Sequence, residues 1–135
     1  MGKRIRTQRR GEGKHRYTAP SHHFKTDAKY REGQVRGVVV DLEKDPSKYG
    51  IVMKIEWEDG KKGYYLAPEG ICVGDEIVQE TDKLAIGNVL KLKDIPEGVP
   101  FFNVEKVPGD GGKFVRSSGA SATVVAKQKD KVIVR

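Results

Sequence analysis

Residues 108–119, PGDGGKFVRSSG, combine four glycines with a lysine, an arginine and two serines, the residue types of a phosphate-binding loop. A nucleotide-binding P-loop requires the pattern G-x-x-x-x-G-K-[ST] between a strand and a helix. Here Phe114 follows Lys113, Val107 stands where the first glycine is required, and the downstream sequence is strand-like. The spacing therefore disfavours a P-loop, and with it a nucleotide-dependent enzyme.

The same loop fits a sharp turn, because glycine accepts positive φ at no steric cost. A turn alone does not explain why cations and hydroxyl groups cluster at one bend. Backbone N–H groups, hydroxyls and cations are the usual contacts of a nucleic-acid backbone. We therefore predict RNA contacts from Gly111, Gly112, Lys113, Arg116, Ser117 and Ser118.

The N-terminal segment, residues 1–33, is the second candidate RNA-binding region. Its basic residues are interleaved with aromatic ones, a combination that can neutralise phosphates and stack on unpaired bases. Tyr17, Phe24 and Tyr30 could equally anchor the segment to a folded unit, and both roles stay open. The predicted RNA-binding residues here are Lys3, Arg4, Arg6, Arg9, Arg10, Lys14, His15, Arg16, Tyr17, His22, His23 and Lys25.

Catalytic and metal-binding patterns are not found in the sequence. The three histidines have no cysteine or paired carboxylate nearby to complete a metal site, and no G-x-S-x-G elbow is present. Cys72 is the only cysteine, which excludes an internal disulfide and fits a reducing compartment. The carboxylates of the central region read as a solvated surface: Asp41, Glu43, Asp45, Glu56, Glu58, Asp59, Asp75 and Glu76. We predict no catalytic residue, no metal and no cofactor.

Charge is distributed unevenly along the 135 residues, whose formal net charge is +7. Residues 1–36 carry +8, residues 37–112 carry −6 and residues 113–135 carry +5. Two basic segments around a mildly acidic middle favour a polyanionic partner, nucleic acid before a membrane surface. No apolar run approaches the ~20 residues of a membrane span.

The elements that must position these residues are short strands. Residues 1–33 have no hydrophobic period and read as an extended arm. From Gln34 onward the period is two: Val38, Val40 and Leu42 are predicted to share one face of a strand. Ile51–Trp57 is a half-buried strand with Trp57 in the core, and Asp59-Gly60 predicts a hairpin. Further strands are expected at YYLA, CVGDEIVQE, NVLKLKDI and FFNVEKV, which together indicate a small all-β barrel or sandwich.

Beyond the glycine loop, ASATVVAKQKDKVIVR predicts two strands around a turn. A lone two-stranded hairpin is marginal in water, so these strands either pack on the barrel or begin a second β-domain. We favour the second option. The predicted division is an arm at 1–33, a barrel at 34–108, an RNA-contacting loop at 109–119, and the start of an incomplete domain at 120–135.

Four stretches resemble a known family: QRRGEGKHRYTAPSHHF, LAPEGICVGDEI, GNVLKLKDIPEGVPFFNVE and PGDGGKFVRSSGASATVVAK. They are similar to the second protein of the large ribosomal subunit in its archaeal and eukaryotic form. The resemblance runs in order through nearly all of the chain, which corresponds to about the N-terminal half of that family. Many members have alanine where Ser117 stands here.

The resemblance implies a mainly β fold: a basic N-terminal extension, a five-stranded OB-fold barrel, and the first strands of an incomplete SH3-like barrel. It also implies a non-enzymatic constituent of the cytoplasmic large ribosomal subunit. Such a protein binds large-subunit ribosomal RNA, contacts neighbouring ribosomal proteins, and supports subunit association and assembly of the peptidyl-transferase centre. Arg116 matches a family arginine expected to contact RNA, and Lys113 lies in the matching inter-barrel loop. No membrane or small-molecule partner is implied.

A second function remains to be separated from this one. A soluble translation factor or single-strand binder can also combine OB and SH3-like barrels. The strongly basic arm and the position of the OB-like unit at the start of the strand order count against such a factor.

Overall fold

A computed structural model describes residues 2–129 and 131–135. Its strands are β1 (Arg36–Lys44), β2 (Ile51–Trp57), β3 (Lys62–Leu66), β4 (Glu76–Val78), β5 (Pro100–Phe101), β6 (Ala122–Lys127) and β7 (Val132–Val134). One short helix, α1 (Arg6–Gly11), and 3-10 turns at His15–Tyr17, Ser21–His23 and Leu92–Asp94 complete the elements. The expectation of a mainly β protein is confirmed.

The first sheet has the order β3-β2-β1-β4, and all of its pairings are antiparallel. The predicted hairpin forms at Asp59-Gly60, where Gly60 has φ +74°. Trp57 is buried as predicted. It packs in one core cluster with Val39, Met53, Ile55, Tyr65, Ile71 and Ile77.

The predicted common face of β1 is wrong. Val38 pairs with Glu56 on the outer face, whereas Leu42, although itself exposed, pairs with the buried Met53. The register shifts between Val39 and Asp41, and such a β-bulge adds one residue that breaks the period of two. Val39 is therefore the core residue, and Val38 lies exposed.

The second sheet has the order β5-β6-β7. Strand β5 pairs with β6 and so belongs to this second sheet. The described strands therefore form two open antiparallel sheets of four and three strands. The resemblance implied a five-stranded barrel instead. The strand expected at NVLKLKDI is reduced to one isolated bridge, between Val89 and Gln79. The side-chain oxygen of Asn88 accepts the N–H of Val78, and thereby takes the place of the next backbone partner.

The N-terminal segment divides into two parts that differ in packing. Residues 2–24, here called the distal arm, contain α1 and two 3-10 turns, and almost all of them are exposed. Residues 25–33, here called the docked segment, pack against the folded unit, and Ala28 is fully buried between Val52 and Leu66. Helix α1 and the two 3-10 turns are not extended, so the expectation of a wholly extended arm is wrong over these three stretches. The four-part domain division stays a prediction.

Candidate nucleic-acid interface

A cleft of about 520 Å³ lies where three distant parts of the chain meet, and we call it the cationic cleft. The docked segment, the turn between β1 and β2, and the glycine loop each supply part of its wall. Four of the nine lining residues are cationic and one is acidic. The lining residues are Asp27, Lys29, Ser47, Lys48, Tyr49, Leu66, Lys113, Arg116 and Ser117.

The turn between β1 and β2 is organised by the carboxylate of Asp45. Its Oδ1 accepts the N–H of Ser47 at 2.8 Å, and its Oδ2 accepts the N–H groups of Lys25 and Thr26 at 3.2 Å each. The side chain is fully buried, so the sequence-based interpretation of Asp45 as a solvated carboxylate is wrong. One carboxylate thus fixes the turn and joins it to the docked segment.

Asp45 remains charged in this buried position. Desolvation, the largest single influence, acts to raise the pKa of its carboxyl group, but the hydrogen bonds from Ser47, Thr26 and Lys25 together outweigh it. The net pKa lies below the ordinary value of 3.8. Hydrogen bonds that favour the charged form keep a buried carboxylate ionised in this way.

The adjacent Lys48 is held across the turn. Its Nζ donates to the carbonyl oxygen of Thr26 at 3.0 Å and to Oγ of Ser47 at 2.7 Å. The ammonium group therefore has a defined place in the cleft wall, which an unanchored surface lysine lacks. Tyr49 follows directly and is 89% exposed.

The glycine loop is folded around two carboxylates, that of its own Asp110 and that of Glu105 just before it. Glu105 accepts the N–H groups of Gly109 and Gly111, at 3.1 and 3.0 Å. Asp110 accepts the N–H of Gly112 at 2.9 Å, together with those of Lys106 and Val107. Burial acts to raise the pKa of Asp110, but these N–H donors hold it below its ordinary value. The N–H groups of Gly109, Gly111 and Gly112 are thus already engaged by carboxylates of this region.

Two glycines allow the loop to pack closely on its neighbours. A Cβ atom on Gly112 would lie 2.2 Å from Oδ1 of Asn103, and one on Gly111 would lie 2.8 Å from Cβ of Lys29. Both residues are buried, and both have positive φ. They shape the wall of the cleft against the docked segment, and their predicted RNA contact stays a prediction.

Arg116 connects the glycine loop to the docked segment. Its Nη1 donates to the carbonyl oxygen of Gly112 at 2.8 Å, and its Nη2 donates to that of Ala28 at 3.3 Å. A guanidinium group has five N–H donors in a planar fork, so these two bonds orient it without using all of its donors. Arg116 is therefore a structural tie as well as a predicted RNA contact.

Backbone strain is concentrated at the same junction. Ala28, Asn103 and Val115 all have positive φ, at 48°, 55° and 54°. Each such residue costs on the order of 1–3 kcal/mol and persists only where its surroundings hold it. The N–H of Asn103 donates to the carbonyl oxygen of Val115 at 2.9 Å, so two of the strained residues hold each other.

Tyr30 anchors the docked segment to the folded unit, which is one of the two roles that the sequence leaves open for it. Its hydroxyl donates to the carbonyl oxygen of Asn103 at 2.9 Å, and its ring meets that of Tyr65 edge-on at 5.2 Å. Burial raises the pKa of Tyr30 to about 12. Tyr17 and Phe24 remain close to half exposed.

The structure brings together only part of the predicted RNA-binding set. Lys113, Arg116 and Ser117 line the cationic cleft, while Ser118 lies exposed beside it. Lys25 forms an ion pair with Glu43 on the outer sheet face, which raises its pKa. The remaining predicted residues lie exposed along the distal arm: Lys3, Arg4, Arg6, Arg9, Arg10, Lys14, His15, Arg16, Tyr17, His22 and His23.

Sequence reasoning missed Lys29, Lys48 and Tyr49 as members of the site. The stretch DPSKYG has the proline and glycine of a turn, and it also places a lysine next to an aromatic residue. That adjacency is the one signal that could have drawn attention to it, since basic and aromatic neighbours are typical of single-strand binding surfaces.

Within residues 2–129 and 131–135, no three histidine, cysteine or carboxylate side chains come together as a metal site would require. The described helices are all too short to cross a bilayer.

Comparison with known families assigns both halves of the chain. Residues 2–79 match the model described as Ribosomal Proteins L2, RNA binding N-terminal domain. Residues 85–135 match Ribosomal Proteins L2, C-terminal domain. The chain belongs to the ribosomal protein L2 family.

Individual relatives agree with this assignment. The large ribosomal subunit protein uL2 of Haloarcula marismortui is 46% identical over 140 residues, covering 100% of this chain and 58% of that protein. The uL2 proteins of Archaeoglobus fulgidus and Methanocaldococcus jannaschii are 45% and 43% identical, and each match covers 100% of this chain and 59% of the relative. The chain thus spans somewhat under three fifths of the length of the curated relatives it matches.

The two L2 family matches divide the structure in an informative way. The N-terminal match contains the distal arm, the docked segment and the first sheet, and the C-terminal match contains the second sheet. The cationic cleft takes Lys48 from the first match and Lys113 from the second. It therefore takes residues from both of the matched regions.

Proposed function

We propose that this chain binds large-subunit ribosomal RNA as a non-enzymatic, structural constituent of the large ribosomal subunit. The observation that carries the proposal is the cationic cleft, in which three separate segments converge on one concave surface. Phosphate oxygens are the ligands that such a set of lysine and arginine donors fits. The family's RNA-binding N-terminal domain supports the same reading.

The wider role follows from the proposed RNA binding and from the family. As part of the large subunit, the protein contacts neighbouring ribosomal proteins in the cytoplasm, and supports subunit association and assembly of the peptidyl-transferase centre. The distal arm extends the basic surface that contacts RNA phosphates beyond the cleft, since its basic side chains are exposed.

The salt dependence of binding tests the cleft directly. We expect the affinity of the whole chain for large-subunit ribosomal RNA to fall steeply with salt, because each phosphate contact releases condensed counterions. Lys113→Gln removes one exposed cleft cation and should lower the slope of log affinity against log salt by about 1. Lys106→Gln is the matched control, since Lys106 is exposed just before the glycine loop but lies outside the cleft lining.

A flat salt response would reject RNA binding, and equal slopes for the Lys113→Gln and Lys106→Gln proteins would reject the cleft as its site. Sucrose-gradient fractionation separates the ribosomal role from that of a soluble factor. Sedimentation with mature large subunits is expected, whereas a stable pool at the top of the gradient favours the soluble factor.

A further inference from the structure

Tyr49 has the highest exposure of the large apolar and aromatic side chains in the described residues, at 89%. It stands in a turn that is not loose: the N–H of Lys48 donates to the carbonyl oxygen of Asp45 at 3.0 Å, and the buried Asp45 carboxylate fixes the turn from inside. The backbone of the turn is therefore fixed, and it carries an aromatic ring that lies almost fully in water.

The ring of Tyr49 has polar and cationic side chains on both sides of the cleft. On its own turn, Ser47 and the anchored Lys48 stand beside it in the lining of the cleft. Across the cleft, the glycine loop supplies Lys113 and the oriented guanidinium of Arg116. One aromatic ring thus lies on the same concave surface as several side chains that can donate hydrogen bonds to a phosphate.

Cations alone do not distinguish paired from unpaired RNA, because both present the same phosphates. A protruding aromatic ring does distinguish them. In a duplex the base faces are stacked on each other and closed to side chains, whereas an unpaired nucleotide can splay its base onto an aromatic ring. The presence of the exposed Tyr49 ring in the lining of the cationic cleft therefore favours an unpaired nucleotide over a helix.

We propose that the cationic cleft binds a single unpaired nucleotide of the RNA, with its base stacked on Tyr49 and its phosphate held by Lys48, Lys113 and Arg116. The inference rests on the proposed RNA binding and names the form of RNA that this site takes. Tyr49 is then a specificity residue, and the cations supply the affinity that every RNA shares.

The test compares two probes against three whole-chain proteins at one salt concentration. The probes are a single-stranded oligoadenylate of about twelve nucleotides and a blunt RNA duplex of about the same length. The proteins are the wild type, Tyr49→Ala and Tyr49→Phe. Because Tyr49 is almost fully exposed, both substitutions leave the core untouched.

We expect Tyr49→Ala to bind the single strand about tenfold more weakly, with stacking lost, and to bind the duplex as the wild type does. Tyr49→Phe keeps a ring and should keep the single-strand affinity. Lys113→Gln, added as a fourth protein at the same salt concentration, should in contrast weaken binding of both probes.

Each other outcome has a definite meaning. If Tyr49→Ala loses nothing, or loses equally on both probes, the stacking role is wrong while RNA binding by the cleft stands. If the wild type binds neither probe nor ribosomal RNA, the proposed function itself fails. A loss in Tyr49→Phe equal to that in Tyr49→Ala would point to the hydroxyl group and overturn stacking.

Discussion

The distal arm and the cationic cleft carry the same kind of charge in opposite structural settings. In the arm, cations such as Arg9 and Arg10 project from a short exposed helix. In the cleft, Lys48 and Arg116 are held by named carbonyl oxygens. Basic composition alone thus predicts a polyanionic partner. Selecting which part of that partner is bound requires side chains held in fixed positions, as they are in the cleft.

The largest effect is expected where the cleft wall is packed most tightly. Gly112→Ala places a methyl group 2.2 Å from Oδ1 of Asn103 at a φ of +96°. We expect a loss of about 3 kcal/mol in the free energy of unfolding, from overpacking and left-handed strain together. Urea unfolding followed by the fluorescence of Trp57, the only tryptophan, measures it.

Two glycines serve as controls for that change. Gly109→Ala keeps the positive φ but has open space around the new methyl group, so about 1 kcal/mol is expected. Gly13→Ala, in the distal arm, should leave the unfolding midpoint unchanged. If Gly13→Ala and Gly112→Ala had equal effects, the contrast between arm and cleft would be broken.

The second effect concerns the carboxylate beneath the β1–β2 turn. In the wild type, the carboxylate oxygens of Asp45 accept backbone N–H groups. Asp45→Asn replaces one of these oxygens by an NH₂ group, and buried donors left without an acceptor cost about 2 kcal/mol. The docked segment should also become sensitive to limited proteolysis. Asp41→Asn is the control, because Asp41 is exposed and accepts one local N–H, so a change within about 0.5 kcal/mol is expected.

The third effect should appear in binding and leave stability unchanged. Replacing Arg6, Arg9 and Arg10 by glutamine removes three exposed arm cations. We expect about a tenfold loss of affinity at low salt for single-stranded and duplex RNA alike, equal to about 1.4 kcal/mol. A loss confined to single-stranded RNA would mean that the arm also selects unpaired RNA, and would contradict the contrast between arm and cleft.

The smallest effect is a pH dependence at the far end of the docked segment. Arg31 donates two hydrogen bonds to Asp59, and these lower the pKa of that carboxyl group to about 2. A lowered folded-state pKa stabilises the protein above the unfolded value near 4, and the contribution disappears as the pH falls from about 4 to 2. The pair is partly exposed and screened by salt, so its contribution is small.

Urea midpoints measured across that pH interval check this prediction. Asp59→Asn should flatten the decline relative to the wild type. A residual decline is expected in the variant, because the pKa values of Asp45 and Asp110 are also lowered and act in the same direction. An identical decline in both proteins would contradict the role of Asp59.

The sequence predicted the parts of this molecule that depend on neighbours in the chain. The Asp59-Gly60 hairpin and the burial of Trp57 follow from local pattern and are confirmed. The bulge after Val39 left no signal in the pattern, so the alternation was extended through it incorrectly. Asn88 replaced a strand partner with its side chain, which a count of apolar residues does not register.

The site was predictable only in part for the same reason. Lys113 and Arg116 stand in one conspicuous loop, but Lys48 and Tyr49 reach the cleft because Asp45 binds N–H groups about twenty residues earlier. The burial of Asp45 depends on those partners, and the sequence around it reads as an ordinary turn. Long-range hydrogen bonds of this kind have no local pattern from which they can be inferred.

The bond between Arg116 and Ala28 has a consequence for how the cleft comes into being. The two residues are 88 positions apart, and contacts of such separation require a long loop to close before they can stabilise anything. The first sheet can pair from nearby residues alone, but the cleft waits for the glycine loop. During synthesis the cationic cleft is therefore completed only after residue 116 has left the ribosome that makes the chain.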